Sequence, residues 1–492
     1  MDRSLLGAHA ASRRAVARVR GQGIPSRHAG AGCGDQRRMG TPAPLAPGMS
    51  VATRPQVVIV GGGFGGLACA RKLDGGSVDA LLVDGHNYHL FTPLLYQVAT
   101  ALLNPSDIVY PFRTIFRRSP NVRFRQAYVT RIDFDTRVVH TRDDEQIRYD
   151  HLVLASGSTN NYYGNPELSR FTIGMKTIPE ALRLRNHVLS CLELAARETA
   201  VEDKRQWLTF IVAGGGPTGV EYSGALAELL KLVLGRDFPE LPPSLARIIL
   251  VEGTDRLLGH FSPELGAYAE QILTKRGIEV RISTLLQRAD DTSVTLSTGE
   301  VIRARTVVWS AGVRATEPTG NDRLPRSRSH RLEVDEYLRV KGVDGVYAIG
   351  DVASVPHGDG ELPMLSAPAM QAGRYVARAI LQRARGRPTG EIQPFRYVDK
   401  GAMATIGRNA AVAQTGPLRL SGFIGWLTWL VVHIYYLIGF RNRLAVLASW
   451  AWNYIRKDRS IRIIARSEAD PLTEELETGR GTPPREARTP GP

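Results

Sequence analysis

Cysteine is scarce in this chain of 492 residues. Only Cys33, Cys69 and Cys191 are present, and no two of them form a C-x-x-C or C-x-x-x-x-C pair. This spacing argues against a disulfide scaffold and against a dithiol redox centre, and it indicates a reducing compartment. Cys69 follows a glycine-rich turn, where a small buried residue is a better interpretation than a reactive thiol.

Acidic residues are almost absent from the first 54 residues, which contain nine Arg against two Asp. This segment also lacks the continuous apolar stretch of a secretory signal. Two interpretations stay open. The segment is a transit peptide, or the gene start is assigned too early, since Met49 stands just before the first predicted strand. Residues 1–54 are predicted to be disordered in both cases.

The formal charge of +15 is uneven. Besides the N-terminal segment, residues 441–466 contain seven basic residues against Asp458. A nucleic-acid-binding protein would spread basic residues over a folded face, whereas a basic cluster beside an apolar segment suits anionic lipid. We therefore expect a membrane-lipid partner and no nucleic acid.

A dinucleotide-binding pattern begins at residue 56. The apolar run Val57 to Val60 predicts a buried parallel strand, and Gly61, Gly63 and Gly66 then form a G-x-G-x-x-G turn before a helix. Such a turn lets a pyrophosphate approach the backbone at a helix N-terminus. The next strand ends in Asp84, at the position of a carboxylate that binds a ribose hydroxyl.

The pattern recurs at residue 207. Gly214, Gly216 and Gly219 follow a second apolar strand, and a later strand ends in Glu252. The interval from Gly219 to Glu252 is long, and the proline-containing segment 235–245 is interpreted as a loop insertion that accounts for it. A carboxylate at residue 252 would accept the 2′-hydroxyl of NADH and repel the 2′-phosphate of NADPH. Two cradles predict two dinucleotides.

Several segments resemble the type II NADH:quinone oxidoreductases, which are single-chain flavoproteins with two dinucleotide-binding domains. The resemblance is carried by three segments: Tyr88 to Thr100, the G-P-T-G-V-E run ending at Glu221, and Phe395 to Arg408. It extends over nearly all of residues 55–456. It implies FAD in the first cradle, NADH in the second, hydride transfer to the flavin, and reduction of a membrane quinone without proton pumping.

The resemblance also implies roles for single residues. Asp351, preceded by Gly350, matches the aspartate that binds the ribityl chain of FAD. Glu221 matches a glutamate near the flavin and nicotinamide, whereas the residues alone indicate an exposed acid in the first turn of a helix. Gln371 and Lys400 match residues on the quinone side. Many relatives have a further glutamine four residues before Gln371, where this chain has Ala367.

Residues 423–440 form a nearly continuous apolar run of 18 residues. As a single helix it would span about 27 Å, just short of a bilayer core of about 30 Å. A membrane span stays open, but a one-sided anchor is favoured, because spanning would carry the basic cluster away from the catalytic domain. Trp426, Trp429, Tyr435 and Tyr436 are expected at the lipid interface, and His433 is expected to be packed or interfacial. No partner ligand stands near His433, so no metal site is predicted.

The predicted fold is α/β, with two Rossmann-like domains, for FAD and NADH, and a C-terminal membrane-associating helical unit. The FAD domain is predicted to consist of two chain segments, 55–164 and 314–388, which are separated by the NADH domain, 165–313. A quinone-side and membrane-anchoring region (389–466) and a disordered tail (467–492) follow. Within the second FAD segment, the polar residues 314–331 are predicted to form a surface loop.

The expected location is the cytoplasmic face of the cell membrane, or the mitochondrial inner membrane if the extension is a transit peptide. The quinone species and the oligomeric state, including a homodimer, stay open. The alternatives are a sulfide:quinone-type flavoprotein, which needs paired cysteines, and an NADH-binding flavin sensor with little turnover.

Overall fold

The computed structural model describes residues 54–316, 324–387, 391–456 and 461–464. The predicted extension before residue 54 and the predicted tail 467–492 lie outside the described residues.

The strands in chain order are β1 (Gln56–Val60), β2 (Asp79–Asp84), β3 (Tyr88–Leu90), β4 (Val109–Pro111), β5 (Val122–Gln126), β6 (Val129–Asp133), β7 (Val138–Thr141), β8 (Gln146–Arg148), β9 (His151–Leu154), β10 (Ser158–Asn160), β11 (Ile173–Gly174), β12 (Thr209–Ala213), β13 (Arg247–Val251), β14 (Ile278–Arg281), β15 (Leu286–Ala289), β16 (Ser293–Leu296), β17 (Val301–Arg303), β18 (Thr306–Trp309), β19 (Val313–Ala315), β20 (Leu332–Glu333), β21 (Val346–Ala348), β22 (Ala353–Ser354), β23 (Pro356–His357), β24 (Gly360–Glu361), β25 (Ala402–Gly407), β26 (Ala410–Thr415) and β27 (Leu418–Ser421).

The α-helices are α1 (Phe64–Leu73), α2 (Leu95–Ala99), α3 (Phe112–Ile115), α4 (Pro166–Phe171), α5 (Ile178–Arg197), α6 (Val201–Trp207), α7 (Pro217–Val233), α8 (Pro263–Lys275), α9 (Ser366–Ala384), α10 (Gly422–Tyr436) and α11 (Phe440–Arg456). Short 3₁₀ turns lie at Thr92–Leu94, Pro105–Asp107, Pro243–Leu245 and Gly350–Val352.

The first sheet is parallel and five-stranded, in the order β21-β9-β1-β2-β5. Its central strands are buried on both faces, as parallel sheets require. Strand β21 comes from residues far along the chain and pairs with β9 in register Val346 to Leu152. Helix α9 packs closely on α1, since a Cβ added at Gly373 would lie 2.2 Å from the Gly65 carbonyl oxygen.

The second sheet repeats this plan in the order β11-β18-β12-β13-β14, again entirely parallel. The intervening segment between α7 and β13 contains turns and a short 3₁₀ turn at Pro243–Leu245, as the loop-insertion interpretation predicts. The segment after Trp309 differs from expectation. Strand β19 pairs antiparallel with β10, so Arg314 belongs to a strand and not to a surface loop.

The C-terminal region begins with the antiparallel sheet β25-β26-β27 and continues into α10 and α11. Helix α10 lies directly on the sheet, because a Cβ added at Gly425 would lie 2.7 Å from the Ala411 carbonyl oxygen. The helix ends at Tyr436, and Gly439, with φ of +91°, turns the chain into α11. The apolar run 423–440 is therefore interrupted at residues 437–439 and does not form a single helix. Among the described helices, none combines the length and the apolarity needed to cross a membrane.

Candidate active site

The two glycine-rich turns have matching geometry. Gly61 and Gly214 adopt φ of +102° and +107°. Each donates its N–H over 2.8 Å to a carbonyl oxygen of the neighbouring strand, that of Val83 for Gly61 and that of Val251 for Gly214. The third glycine of each turn allows its helix to touch the turn: a Cβ at Gly66 would lie 1.8 Å from the Gly61 oxygen, and one at Gly219 would lie 1.8 Å from the Gly214 oxygen. These positions therefore need glycine for backbone contact.

The middle glycines behave differently. A Cβ added at Gly63 or at Gly216 would meet no atom within 4 Å. Each lies at the N-cap of a helix, α1 or α7, whose first turn has no acidic residue. Free backbone N–H groups and the helix dipole at such a position favour a phosphate. Both turns thus fit a dinucleotide pyrophosphate, as the sequence predicts.

The two strand-end acids are held in the same way. Asp84 accepts from the Gly62 N–H over 2.6 Å and from the His86 N–H over 2.7 Å. Glu252 accepts from the Gly215 N–H over 2.6 Å and from the Thr254 N–H over 2.7 Å. Oε1 of Glu252 also accepts from the Thr254 hydroxyl over 2.8 Å, so the remaining lone pair of this acid is on Oε2, the oxygen that faces the turn. Both acids are therefore oriented beside their turn with capacity to bind a ribose hydroxyl.

Asp351 lies in a short polar chain. It accepts from the Ser158 hydroxyl over 2.5 Å, and Ser158 accepts from the ammonium of Lys176 over 3.1 Å. Burial lowers the pKa of Lys176, while the charges of Asp351 and Glu180 act in the opposite direction. This places a partly buried cation beside Asp351. Sequence reasoning missed Lys176, because no motif marks it.

Glu221 is buried, with only 8% of its surface exposed, which contradicts the exposed first-turn acid indicated by the residues alone. Helix α7 can approach strand β25 closely because a Cβ added at Gly224 would lie only 2.5 Å from the Ile406 oxygen. One oxygen of Glu221 accepts from the Thr405 N–H over 3.2 Å. Contact with the sheet, rather than the helix dipole, determines the environment of this acid.

Burial raises the pKa of Glu221 to about 8. The Thr405 hydrogen bond and the nearby indole of Trp429 favour the ionised form, but burial outweighs them. The carboxyl is therefore mostly neutral at neutral pH, which is typical of a group that can supply a proton.

A chain of side chains leads from Glu221 to helix α11. The Tyr96 hydroxyl lies 2.9 Å from Oγ1 of Thr405, Gln97 donates to that hydroxyl over 3.0 Å, and the indole of Trp450 donates to Gln97 over 2.7 Å. Because an indole N–H only donates, it orients the Gln97 amide, whose N–H then donates to Tyr96, while either hydroxyl can be the donor between Tyr96 and Thr405. The orientation of Gln97 is thus determined at α11.

The quinone-side candidates, Gln371 on α9 and Lys400 before β25, lie close to each other. Both polar atoms of the Gln371 amide bind the backbone of Val398, donating over 2.9 Å and accepting over 3.1 Å. Lys400 is exposed two residues further on, just before β25. The structure thus brings Gln371 close to the segment that carries Lys400. This segment leads into β25, where Glu221 accepts from the Thr405 N–H.

Comparison with known proteins gives a consistent result. The pyridine nucleotide-disulphide oxidoreductase family matches residues 55–373. The type II NADH:quinone oxidoreductase Ndh of Mycobacterium tuberculosis is 38% identical over 431 residues, which are 85% of this chain and 91% of that protein. The chain belongs to the type II NADH:quinone oxidoreductases, within the pyridine nucleotide-disulphide oxidoreductase family.

Solved structures share the fold of this type II NADH:quinone oxidoreductase. NDH2 from Plasmodium falciparum in complex with NADH has a TM-score of 0.78 at 19% identity, over 84% of this chain and all of that chain. The sulfide:quinone oxidoreductase of Aquifex aeolicus has a lower TM-score of 0.63 at 18% identity, over 82% of this chain and 96% of that chain. These two matches show the fold.

The buried position predicted for Cys69 is confirmed. Cys69 and Cys191 are both buried, and burial raises the pKa of the Cys69 thiol to about 12. Cys33 lies outside the described residues. Within the portion of the chain that the structure describes, no cluster of three His, Cys, Asp or Glu side chains could hold a metal ion.

The C-terminal helices have an inner and an outer face. Trp429 and His433 are buried and stacked, with ring centroids 3.8 Å apart. The prediction that Trp429 lies at a lipid interface is therefore wrong, because its side of α10 faces the sheet and Glu221. The outer face is apolar and exposed over Phe423, Ile424, Leu427, Val431, Tyr435, Phe440, Leu444, Leu447, Trp452 and Ile455.

Proposed function

We propose that this enzyme oxidises NADH and reduces a membrane quinone, with FAD in the first cradle and NADH in the second. The observation that carries the proposal is the duplicated turn with its oriented acid, Asp84 in one domain and Glu252 in the other. A bound flavin would supply the two-electron chemistry, by accepting a hydride from the nicotinamide and passing electrons to the quinone. The side chains of the protein would bind the two nucleotides, position the quinone-side segment and supply a proton to the quinone.

The two nucleotides are assigned by their surroundings. Asp351 lies on the residues that follow β21, a strand of the same sheet as β2 and Asp84, so the two acids can bind two portions of one FAD. Glu252 stands at the end of β13 in the other sheet and would bind the ribose of NADH. Its negative charge would repel the 2′-phosphate of NADPH. Arg256, the nearby cation, already donates to the Gly259 carbonyl oxygen over 3.1 Å.

Glu221 is the proposed proton donor on the quinone side. It is mostly neutral below a pH of about 8, and reduction of a quinone to a quinol consumes two protons. Gln371 would position the segment that carries Lys400, since its amide clamps the backbone at Val398. Lys400 would then attract the reduced, negatively charged quinone oxygen.

Membrane association is proposed for the outer face of α10 and α11. A contiguous exposed apolar surface of this kind marks an interaction site, and aromatic side chains suit the interfacial region. Arg441 and Arg456 flank it and would attract lipid phosphates. The cytoplasmic face of the cell membrane is the proposed location. A homodimer is not needed for any of these sites.

The test of this function is steady-state NADH oxidation by the full-length protein reconstituted into vesicles, with and without a quinone. We expect NADH oxidation that depends on the quinone, and flavin that stays bound to the protein during turnover. Reduction of the flavin by NADH without quinone-dependent turnover would instead indicate a redox sensor. A sulfide:quinone activity is not favoured, because the described cysteines, Cys69 and Cys191, are buried and form no disulfide with each other.

A matched pair of variants tests the membrane contact. Ile424→Ser and Phe440→Ser alter side chains that are 65% and 76% exposed, so folding should be kept. Both should lower vesicle binding and the reduction of long-tailed quinones, while activity with a small soluble acceptor stays. Val301→Ser, at a side chain 62% exposed in the hairpin of the second domain, is the control.

A further inference from the structure

A cavity of about 360 Å³ opens beside the turn between α10 and α11. Its walls come from the end of α1, from β4 and α3, and from Ile438 and Gly439 of the turn. Its volume is within the usual range of about 300–1,000 Å³ for small-molecule sites. None of its lining residues belongs to the cradles or to the surroundings of Glu221.

Three polar groups in this cavity are available to a ligand. Among the described residues, neither the Arg71 guanidinium, the Tyr110 hydroxyl nor the Thr114 hydroxyl makes a hydrogen bond or an ion pair. The Arg71 side chain lies at the exposed edge of the cavity, and partial burial there lowers the pKa of its guanidinium. A guanidinium and two hydroxyl groups that line the same cavity are a set of groups that fits a phosphate.

One acid also lines the cavity. Asp74 follows directly on α1, three residues after Arg71, and accepts from the Ser119 hydroxyl over 2.5 Å. Its remaining lone pairs can accept further hydrogen bonds. A ligand of pure negative charge would be repelled by this carboxylate. A zwitterion with a phosphate and a nearby ammonium group would match both charges.

The position of the cavity indicates where such a ligand comes from. Gly439 packs against Tyr110, since an added Cβ would lie 2.4 Å from the tyrosine ring. The next residue is Phe440, which is 76% exposed and belongs to the apolar outer face. A ligand in the cavity thus lies at the edge of the surface proposed to contact lipid. Ile115 and Phe116 supply apolar wall.

We propose that this cavity binds the phosphoethanolamine headgroup of a membrane phospholipid, with the phosphate at Arg71, Tyr110 and Thr114 and the ammonium group at Asp74. The headgroup would fix the orientation of α10 and α11 on the bilayer. The inference rests on the proposed membrane contact. Its readout is vesicle binding, which is independent of NADH oxidation and quinone reduction.

The experiment measures binding of the full-length protein to vesicles of phosphatidylcholine, alone or mixed with phosphatidylethanolamine or phosphatidylglycerol. High salt screens the general attraction of surface arginines. We expect roughly fivefold to tenfold tighter binding to the phosphatidylethanolamine vesicles, since a charge-assisted bond is gained. Arg71→Gln and Asp74→Asn should each lose this preference, and Thr114→Val should weaken it.

Arg117→Gln is the matched control, because this exposed arginine is close in sequence to the lining residue Phe116 but does not line the cavity. It removes the same charge and should keep the preference. Any of these binding results would overturn the proposal: equal binding of wild type to all vesicles, a preference for phosphatidylglycerol, or the same loss in Arg117→Gln as in Arg71→Gln. Competition by inorganic phosphate as effective as by glycerophosphoethanolamine would overturn it too, since it would indicate a site for free phosphate.

Discussion

Glu221→Gln tests the central electrostatic claim. The carboxyl of Glu221 is buried, and burial raises its pKa to about 8. Glutamine has nearly the same shape and keeps an oxygen that can accept the Thr405 N–H. It cannot ionise or supply a proton. The substitution therefore removes the titration and leaves the packing.

The pH dependence of stability follows from the direction of this shift. The ordinary pKa of a glutamate is 4.5 and that of Glu221 in the folded protein is about 8. Between these values the folded protein holds a proton that the unfolded chain has lost, so its stability falls as the pH rises through this window. At about 1.4 kcal/mol per pKa unit, the whole shift corresponds to about 5 kcal/mol. The stability of the Glu221→Gln variant should not fall in this way as the pH rises, because glutamine does not ionise.

Two assays measure the effect. The melting temperature of the variant relative to wild type should rise steadily from a pH of about 5 to about 8 and then level off. Infrared difference spectra should show a protonated carboxyl band that disappears in wild type near a pH of about 8 and is absent from the variant. In turnover, quinone reduction by wild type should decline above this pH, while the variant is slower by roughly tenfold to a hundredfold and lacks that inflection.

The reasoning would be refuted by parallel melting curves of wild type and variant across this range. A carboxylate band of Glu221 already present at a pH of about 6 would contradict it equally, since this is well below the expected pKa. Thr405→Val is a useful companion, because it keeps the backbone N–H to Glu221 and removes only the hydroxyl next to Tyr96. It should leave the pKa of Glu221 nearly unchanged.

Three further predictions concern the cradles. Gly219→Ala places a carbon 1.8 Å from the Gly214 oxygen and should abolish NADH oxidation, whereas Gly216→Ala meets no atom within 4 Å and should leave the melting temperature unchanged; equal losses of stability would contradict the assigned packing. Glu252→Gln should relax discrimination against NADPH by roughly tenfold in kcat/KM with unchanged flavin content, because a charge repulsion is removed; a wild type that uses both nucleotides equally would disprove this. Asp84→Ala and Asp351→Ala should each lower the flavin released on denaturation, while Glu252→Ala should not, and the same loss in all three would show that the nucleotides are assigned to the wrong cradles.

The two cradles could be predicted from sequence because their signals are local. A strand, three glycines and a helix follow one another within about fifteen residues, and each outer glycine has a steric reason that the structure then displays at Gly61 and Gly66. The duplicated fold follows from repeating this unit. Family resemblance supplied the expected order of the remaining segments.

The surroundings of Glu221 could not be predicted in this way. Its neighbours Tyr96, Thr405 and Trp429 are far apart in the chain, and helical position alone indicated an exposed acid. Trp429 was misplaced for a related reason, since apolarity does not distinguish a side chain facing lipid from one facing a sheet. The spacing of Gly425 and Trp429 carried a signal, because a glycine and an aromatic four residues apart lie on one helix face.

The C-terminal helices therefore belong to the surroundings of Glu221, the proposed proton donor, as well as to the proposed membrane surface. Their outer face is apolar and exposed, while Trp429 lies beside Glu221 and Trp450 begins the hydrogen-bond chain that ends at Thr405. Asn442 donates to the Val109 carbonyl oxygen over 2.8 Å, which fastens α11 to the first domain. Removing these helices would expose buried side chains around Glu221, so truncation would damage the site and the surface together. Substitutions on the outer face separate the two functions, because they leave the inner contacts that orient Gln97 and bury the carboxyl.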